Sequence, residues 1–341
     1  MFTIYRDYFN KRISLGNKRK PKNNNLVGGI KMVEDEKIKT KVSPFAMKEG
    51  EIKTFDGKDG YVSINQIIHR MNLGHITEIH LKILELVNEF EFMTSRQIYQ
   101  ILVHRDIDVK SQDKLNNKLE QLIKTKILTR YYFSSEDGKC IYRVYCLEKM
   151  GKYLLNSRNI ECKWQPTDNT KPVVMIKKRL AGNQIIVAYM RKVQAFDTYT
   201  VKPAINAKKS GKIVKANAGV RLTKKGISVD FLFEVVRRED DWETNFEERM
   251  RLYKDFYENF IQFDSGYERA PQFILVAEDD KHMVEIFKII VTKGLEIPNM
   301  KIYFTQDLSQ NATTLDKSLV EFVTDENGKY KMNNVEVKLL G

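Results

Sequence analysis

Between Ile76 and Leu147 the chain changes period in a fixed order, and that order limits what it can fold into. The run "ITEIHLKILELVNEF" sets Ile76, Ile79, Ile83, Leu84 and Val87 on one helical face. "MTSRQIYQIL" follows, with Thr94 or Ser95 as N-cap and Ile98, Ile101 and Leu102 turned inward. "SQDKLNNKLEQLIKTKIL" offers Ser111 as the next cap and Leu115, Leu119, Leu122 and Ile123 as the next apolar stripe. The period then drops to two. "LTRYYF" and "CIYRVYCL" are β-rich runs joined by "SSEDGK", whose Asp137-Gly138 pair favours a tight hairpin turn.

Helix, helix, helix, hairpin resembles the winged helix-turn-helix order, and "LEKMGKYLL" at Leu147–Leu155 resembles the helix that closes such domains. The resemblance implies a DNA-binding domain over residues 61–160, with the third helix in the major groove and the hairpin against the backbone. Off the buried stripe of that helix stand Lys114, Asn117, Lys118 and Gln121. Amide side chains can pair with base edges, and lysine with guanine or phosphate. Arg130, Lys139 and Arg143 flank the wing and suit phosphate contact. Asp113 and Glu120 interrupt the basic stripe, which lowers the affinity expected of this domain alone.

Charge supports a polyanionic partner. The formal net charge is +13, and its distribution is uneven. Residues 1–25 carry seven Lys/Arg against one Asp, residues 161–225 carry fifteen against three acids, and residues 226–341 reverse to fourteen against twenty-three. Lysines serving solubility alone would be spread more evenly. Residues 1–60, with "NKRKPKNNN" at Asn17–Asn25, are expected to form a basic and largely flexible arm. Cys140, Cys146 and Cys162 lack metal-ligand spacing and the five histidines are scattered, so no zinc site is expected and the cysteines fit a reducing cytoplasm. No apolar run approaches the roughly 18–20 residues that span a bilayer, and there is no signal-peptide core. A cytoplasmic protein without membrane contact is the expectation.

"CKWQPTDNTKP" is polar with two prolines and marks a linker over residues 161–172. In residues 173–341, "MIKKRLAGNQIIVAYMRKVQAF" is helical, with Gly182 as a candidate break. "ANAGVRL" and "ISVDFLFEVV" form a hairpin through "TKKG". "DWETNFEERMRLYKDFYENFIQF" is a long amphipathic helix with Asp240 and Glu243 placed as its capping box. "QFILVAE", "DKHMVEIFKIIVTKGL" and "MKIYFTQD" continue as strand, helix and strand, and "VEFVTDENGKYKM" ends on an Asn-Gly hairpin. This α/β order resembles the restriction-endonuclease-like fold. The fold class expected is therefore α+β to α/β, with an N-terminal winged helix-turn-helix followed by a restriction-endonuclease-like α/β domain with a C-terminal hairpin. The combination resembles the replication-relaxation family of plasmids and integrative mobile elements. It is carried by the winged-helix run, "LEKMGKYLL", "FLFEVVRRED", the helix containing "RMRLYKDF" and the strand–helix–strand finish.

The stretch "ISVDFLFEVVRRED" bears on catalysis. Nucleases of that fold use an Asp, then a Glu, then a Lys two residues later, the carboxylates holding a divalent metal and the Lys helping to activate water. The candidates are Asp230 and Glu234, four residues apart, or roughly 13 Å along a strand, too far to share one Mg²⁺. "ANAGVRL" has no acid, and the position two after Glu234 is Val236. No catalytic or metal residue is therefore assigned, with Asp230 and Glu234 as the weak candidates. Glu234 is expected to pair with Arg237, Arg249 or Arg251, on the face opposite Phe231, Phe233 and Val235, which are taken to meet the long helix or the core. The function expected is a DNA-binding accessory factor in replication, relaxation or mobilisation, without nuclease activity or cofactor. Double-stranded DNA is the partner, with other replication or mobilisation proteins and a second copy of the chain as further candidates. Two alternatives stay open: a Mg²⁺-dependent nuclease drawing ligands from Asp197, Glu239 or Asp240, and a winged-helix transcriptional regulator.

Overall fold

The computed structural model describes residues 43–134, 140–263, 265–324, 326 and 330–341. Residues 1–42 of the stretch expected to form a basic arm, residues 135–139 with the expected Asp-Gly turn and Lys139, and residues 327–329 with the expected Asn-Gly turn lie outside these. The architecture is mixed α/β, and among the described residues no helix is long and apolar enough to cross a membrane.

The first half runs β1 (Ile52–Phe55), α1 (Ile64–Asn72), α2 (Glu78–Phe90), β2 (Met93–Thr94), α3 (Ser95–His104), α4 (Gln112–Lys124), β3 (Leu128–Ser134), β4 (Cys140–Leu147) and α5 (Lys149–Ser157). The strands form an antiparallel sheet in the order β1-β3-β4-β2. Local chemistry starts each helix. Thr94 accepts from Gln97 N–H at 3.2 Å while the Gln97 side chain accepts from Thr94 N–H at 3.0 Å, a reciprocal cap. Ser111 accepts from Lys114 N–H at 3.2 Å, satisfying one of the free amides that open α4. The stripes close over one core: Ile83, Leu84, Val87, Ile98, Ile101, Leu102, Leu115, Leu119, Leu122 and Ile123 are all buried in it. Residues 43–55, within the stretch expected to be an arm, are packed. Phe45 is buried, β1 pairs with β3, and the buried Lys177 ammonium meets Glu51 and the Ala46 carbonyl.

The second half runs α6 (Val173–Lys192), β5 (Phe196–Val201), β6 (Ala204–Ala207), β7 (Lys212–Lys215), β8 (Ala218–Lys224), β9 (Ile227–Val235), α7 (Trp242–Glu258), β10 (Gln272–Ala277), α8 (Asp280–Thr292), β11 (Ile302–Gln306), β12 (Leu319–Thr324) and β13 (Tyr330–Val335). Seven strands form one sheet in the order β13-β12-β11-β10-β9-β8-β5. The β9-β10-β11 core is parallel and its flanks are antiparallel. β6 and β7 make a separate hairpin.

Three sequence expectations are corrected here. First, α6 does not break at Gly182. A Cβ at that position would lie 2.6 Å from the Asn217 carbonyl oxygen, so the glycine lets the helix approach the start of β8 and is not a terminator. Second, β9 is covered on both faces. Phe231, Phe233 and Val235 pack with α6, whereas Leu232 lies with Phe246, Met250 and Tyr253 of the long helix α7. The long helix therefore covers the Glu234 face, because β9 lies inside a seven-stranded sheet whose parallel centre carries helices on both sides. Third, α7 starts at Trp242 after Asp241 in the left-handed region (φ 57°), without a side-chain cap bond, so the Asp240–Glu243 box does not form.

The two halves share a core. Residues of α2, α3 and α4 belong to the same buried cluster as α6 and the Phe231 face of β9. Gln97 donates to the Leu180 carbonyl at 2.8 Å, and Asn183 donates to the carbonyls of Phe90 (3.1 Å) and Phe92 (2.7 Å). The stretch expected to be a linker holds a short 3₁₀ turn, Pro166–Thr170, whose buried Asn169 donates to the Leu147 carbonyl at 2.9 Å.

Candidate functional site

Glu234 sits near the end of β9, 4% exposed. Its carboxylate accepts from Arg249 Nε at 2.5 Å, Arg249 Nη2 at 2.6 Å and the Tyr253 hydroxyl at 2.7 Å. Arg249 and Tyr253 are four residues apart on α7, so one helical face presents both donors. Burial works against the charge on Arg249, but the adjacent Glu234 carboxylate outweighs it and holds the guanidinium pKa above its ordinary value. Burial first, and then the Glu234 charge, push the Tyr253 hydroxyl well above its usual range. Of the three arginines expected to pair with Glu234, Arg249 is the partner. Arg237 is buried against Asp307 at 2.8 Å, and Arg251 pairs with Glu247 at 2.7 Å.

Asp230 is closed separately. Arg221 lies opposite it in the β8–β9 register and binds both its oxygens, through Nε at 2.8 Å and Nη2 at 3.0 Å. The two candidate carboxylates thus each hold a guanidinium fork, the geometry of a structural ion pair. Val236, where a lysine would be needed, is buried. Of the alternative ligands, Asp197 accepts from the Thr223 hydroxyl at 2.7 Å and Glu239 from Lys178 at 2.6 Å. Asp240 is exposed. Among the described residues no three His, Cys, Asp or Glu side chains gather as a metal site requires. The described residues do not fit a Mg²⁺ centre.

The second candidate surface is α4. Lys114 and Asn117 are exposed and Lys118 half-buried. Lys124, which was not among the expected contacts, is exposed seven residues after Asn117 on the same face. Gln121 is also on the surface, but its Oε1 lies 2.6 Å from His80 Nε2. Thr77 N–H donates to His80 Nδ1 at 3.0 Å, so the ring is neutral with its proton on Nε2, donating to Gln121. Burial holds the His80 pKa below its ordinary value, in line with that form. The Gln121 carbonyl oxygen is thereby engaged by His80 while the residue stays exposed.

The cations expected beside the β3–β4 hairpin differ from one another. Arg130 donates through Nη1 to Glu120 and through Nε to the Asp56 carbonyl at 2.7 Å, and its side chain is 12% exposed. Arg143 shares Asp56 through Nε at 2.8 Å but stays about half exposed. Arg130 is therefore a structural bridge between β3, α4 and the Asp56 loop, a role that spacing alone did not disclose. Lys139 lies outside the described residues.

No protein-family model matches the chain, and no curated protein does. Among solved structures it is similar to restriction endonuclease FokI, at a TM-score of 0.26 and 11% identity over 68% of this chain and 42% of that one. FokI bound to DNA gives 0.26 and 8% over 77% of this chain and 54% of that one. The chain spans about half the length of these structures. At such scores the similarity carries no argument, and the functional reading stands on the residues.

Proposed function

We propose that this protein binds double-stranded DNA through a winged helix in residues 61–160. In this reading, residues 173–341 form a restriction-endonuclease-like domain that no longer cuts. On the resemblance drawn from the sequence, its place is that of an accessory factor in replication, relaxation or mobilisation of a plasmid or integrative element. The observation that carries the reading is the free face of α4. Among the described residues the side chains of Lys114, Asn117, Lys118 and Lys124 have no internal hydrogen bond or ion pair, whereas most of their polar neighbours do. Unpaired ammonium and amide groups on one helical face match what base edges and phosphates accept. Support for the lost chemistry is the engagement of Glu234 by Arg249 and Tyr253 and of Asp230 by Arg221.

The test is a gel shift on duplex DNA with and without Mg²⁺, comparing wild type with Asn117→Ala/Lys118→Ala. The expected result is retardation without cleavage. The double variant, folded by circular dichroism, is expected to lose about 1–3 kcal/mol per contact made. Equal affinity in a folded double variant would remove α4 from the interface.

A further inference from the structure

Beside the Glu234–Arg249 pair, α6 and the β7–β8 connection line a half-open cavity of about 220 Å³. Six of its lining side chains are cationic (Lys171, Lys178, Arg179, Lys202, Lys215 and Arg249) and two are acidic (Glu91 and Glu234). Four of the cations are neutralised. Lys171 meets Asp168 at 2.8 Å, Lys178 meets Glu239 at 2.6 Å, Lys202 meets Glu91, and Arg249 meets Glu234. Six cations less those four carboxylates leave two charges, on Arg179 and Lys215, which have no ion-pair partner among the described residues.

Arg179 is the unusual member. It is 3% exposed, its Nη2 donates to the Asn217 carbonyl, and its Nε and Nη1 have no partner among the described residues. Burial lowers its pKa to about 10, against the pull of Glu91 and Glu234. A guanidinium held in the interior without a carboxylate is costly unless an anion comes close. The cavity wall is also strained. Glu91 has φ 66° and ψ −61°, and Phe92 N–H donates to the Phe90 carbonyl at 2.9 Å, which makes the rare hand of γ-turn. Asn183 fixes this turn by donating to the carbonyls on both sides of Glu91, and Lys202, the partner of Glu91, also has positive φ (55°). Backbone held in such conformations clusters at ligand sites.

We propose that this cavity binds a phosphate group through side-chain cations. Its oxygens accept from Lys215 and from the Lys202 ammonium as that leaves Glu91, and its charge offsets that of Arg179 behind them. Charge-assisted bonds of this kind are the strong ones in a sheltered site. A DNA backbone phosphate and a free phosphate ester offer the same chemistry. Only the first of these sources rests on the proposed DNA-binding function.

The test titrates inorganic phosphate into the full-length protein at constant ionic strength made up with chloride, following heat and melting temperature. Wild type is expected to show a saturable site. Lys215→Glu, at an exposed position, is expected to raise Kd about tenfold or more. Glu91→Gln is expected to lower Kd, because it removes the competing carboxylate and frees Lys202. A response that never saturates, or one identical in wild type and both folded variants, overturns the proposal. A parallel duplex-DNA titration assigns the source. Loss of DNA affinity in Lys215→Glu together with competition by phosphate marks a backbone phosphate, and unchanged DNA affinity with phosphate binding lost marks a free ester. Saturable phosphate binding in a protein that binds no DNA would overturn the proposed function and leave this site standing.

Discussion

Replacing Glu234 by Gln keeps the shape of the side chain and removes its charge, so it separates a structural carboxylate from a catalytic one. Three donors converge on that carboxylate: Arg249 Nε, Arg249 Nη2 and the Tyr253 hydroxyl, at 2.5, 2.6 and 2.7 Å. An amide offers one oxygen, so at least one arginine N–H loses its acceptor or meets an NH₂ donor. Removing one member of a fully buried ion pair costs about 3–5 kcal/mol. The Arg249 side chain is 35% exposed and its Nη2 keeps the Lys215 carbonyl at 2.9 Å. Water and that carbonyl therefore relieve part of the loss, and about 2–3 kcal/mol remains. This exceeds the small effect expected if Glu234 merely touched a surface arginine.

The assay is equilibrium urea unfolding of wild type, Glu234→Gln, Arg249→Met and the double variant, closed as a cycle. Arg249→Met is expected to cost more than Glu234→Gln, since it strands a nearly buried carboxylate. The double variant is expected to recover part of the sum, because the coupling is lost only once. Supercoiled plasmid incubated with the same proteins across Mg²⁺ and Mn²⁺ provides the functional half, with no nicking expected from any of them. Two results refute the reasoning. A Glu234→Gln protein within about 0.5 kcal/mol of wild type would mean the pair contributes no more than an exposed contact. Nicking by wild type that disappears in Glu234→Gln would make the carboxylate catalytic.

Gly182→Ala is expected to destabilise by about 1–3 kcal/mol, because its Cβ meets the Asn217 carbonyl at 2.6 Å in a packed layer. An unchanged or higher urea midpoint would show that α6 and β8 are less tightly opposed. His282 is held down to about 3 by burial and then by the charges of Arg238 and Arg237, so the fold keeps it neutral. A base with a lowered folded pKa contributes fully above its ordinary value of 6.5 and loses that contribution as pH falls toward 3. His282→Phe is expected to remove about 2 kcal/mol of the wild-type stability loss between pH 6.5 and 5, and an identical pH slope in the variant would contradict this. Arg130→Ala is expected to lower stability through its bonds to Glu120 and Asp56 while leaving the salt slope of DNA binding unchanged. A slope shallower by about 0.9, the share of one phosphate, would show that Arg130 contacts DNA after all.

What could be read from the sequence, and what could not, divides by the range of the interaction. The α2, α3 and α4 stripes were legible because caps and periodicity act within one or two turns. Thr94, Gln97 and Ser111 bind the amides that their positions in the sequence imply. The hairpin order of β8 and β9 was legible for the same reason, through the Lys225-Gly226 turn. The face of Glu234 was not. Alternation on a strand implies one wet face, but β9 lies between β8 and β10 under helices on both sides, so Leu232 and Phe233 are equally buried. A polar residue in such a strand must then find its partner from a helix, and here Arg249 lies fifteen residues away on α7. One signal was available. Arg249 and Tyr253 interrupt and continue the apolar stripe of α7 at i, i+4, a pairing that suits a buried acid better than solvent. The cationic cavity beside Glu234 had no such signal. Its charged lining spans Glu91 to Arg249, and its surplus charge is defined by which lysines already have carboxylates. That property belongs to the pairing in the folded chain, and it makes Lys215, an unremarkable residue in the sequence, the side chain whose reversal discriminates most sharply between a binding site and an empty fold remnant.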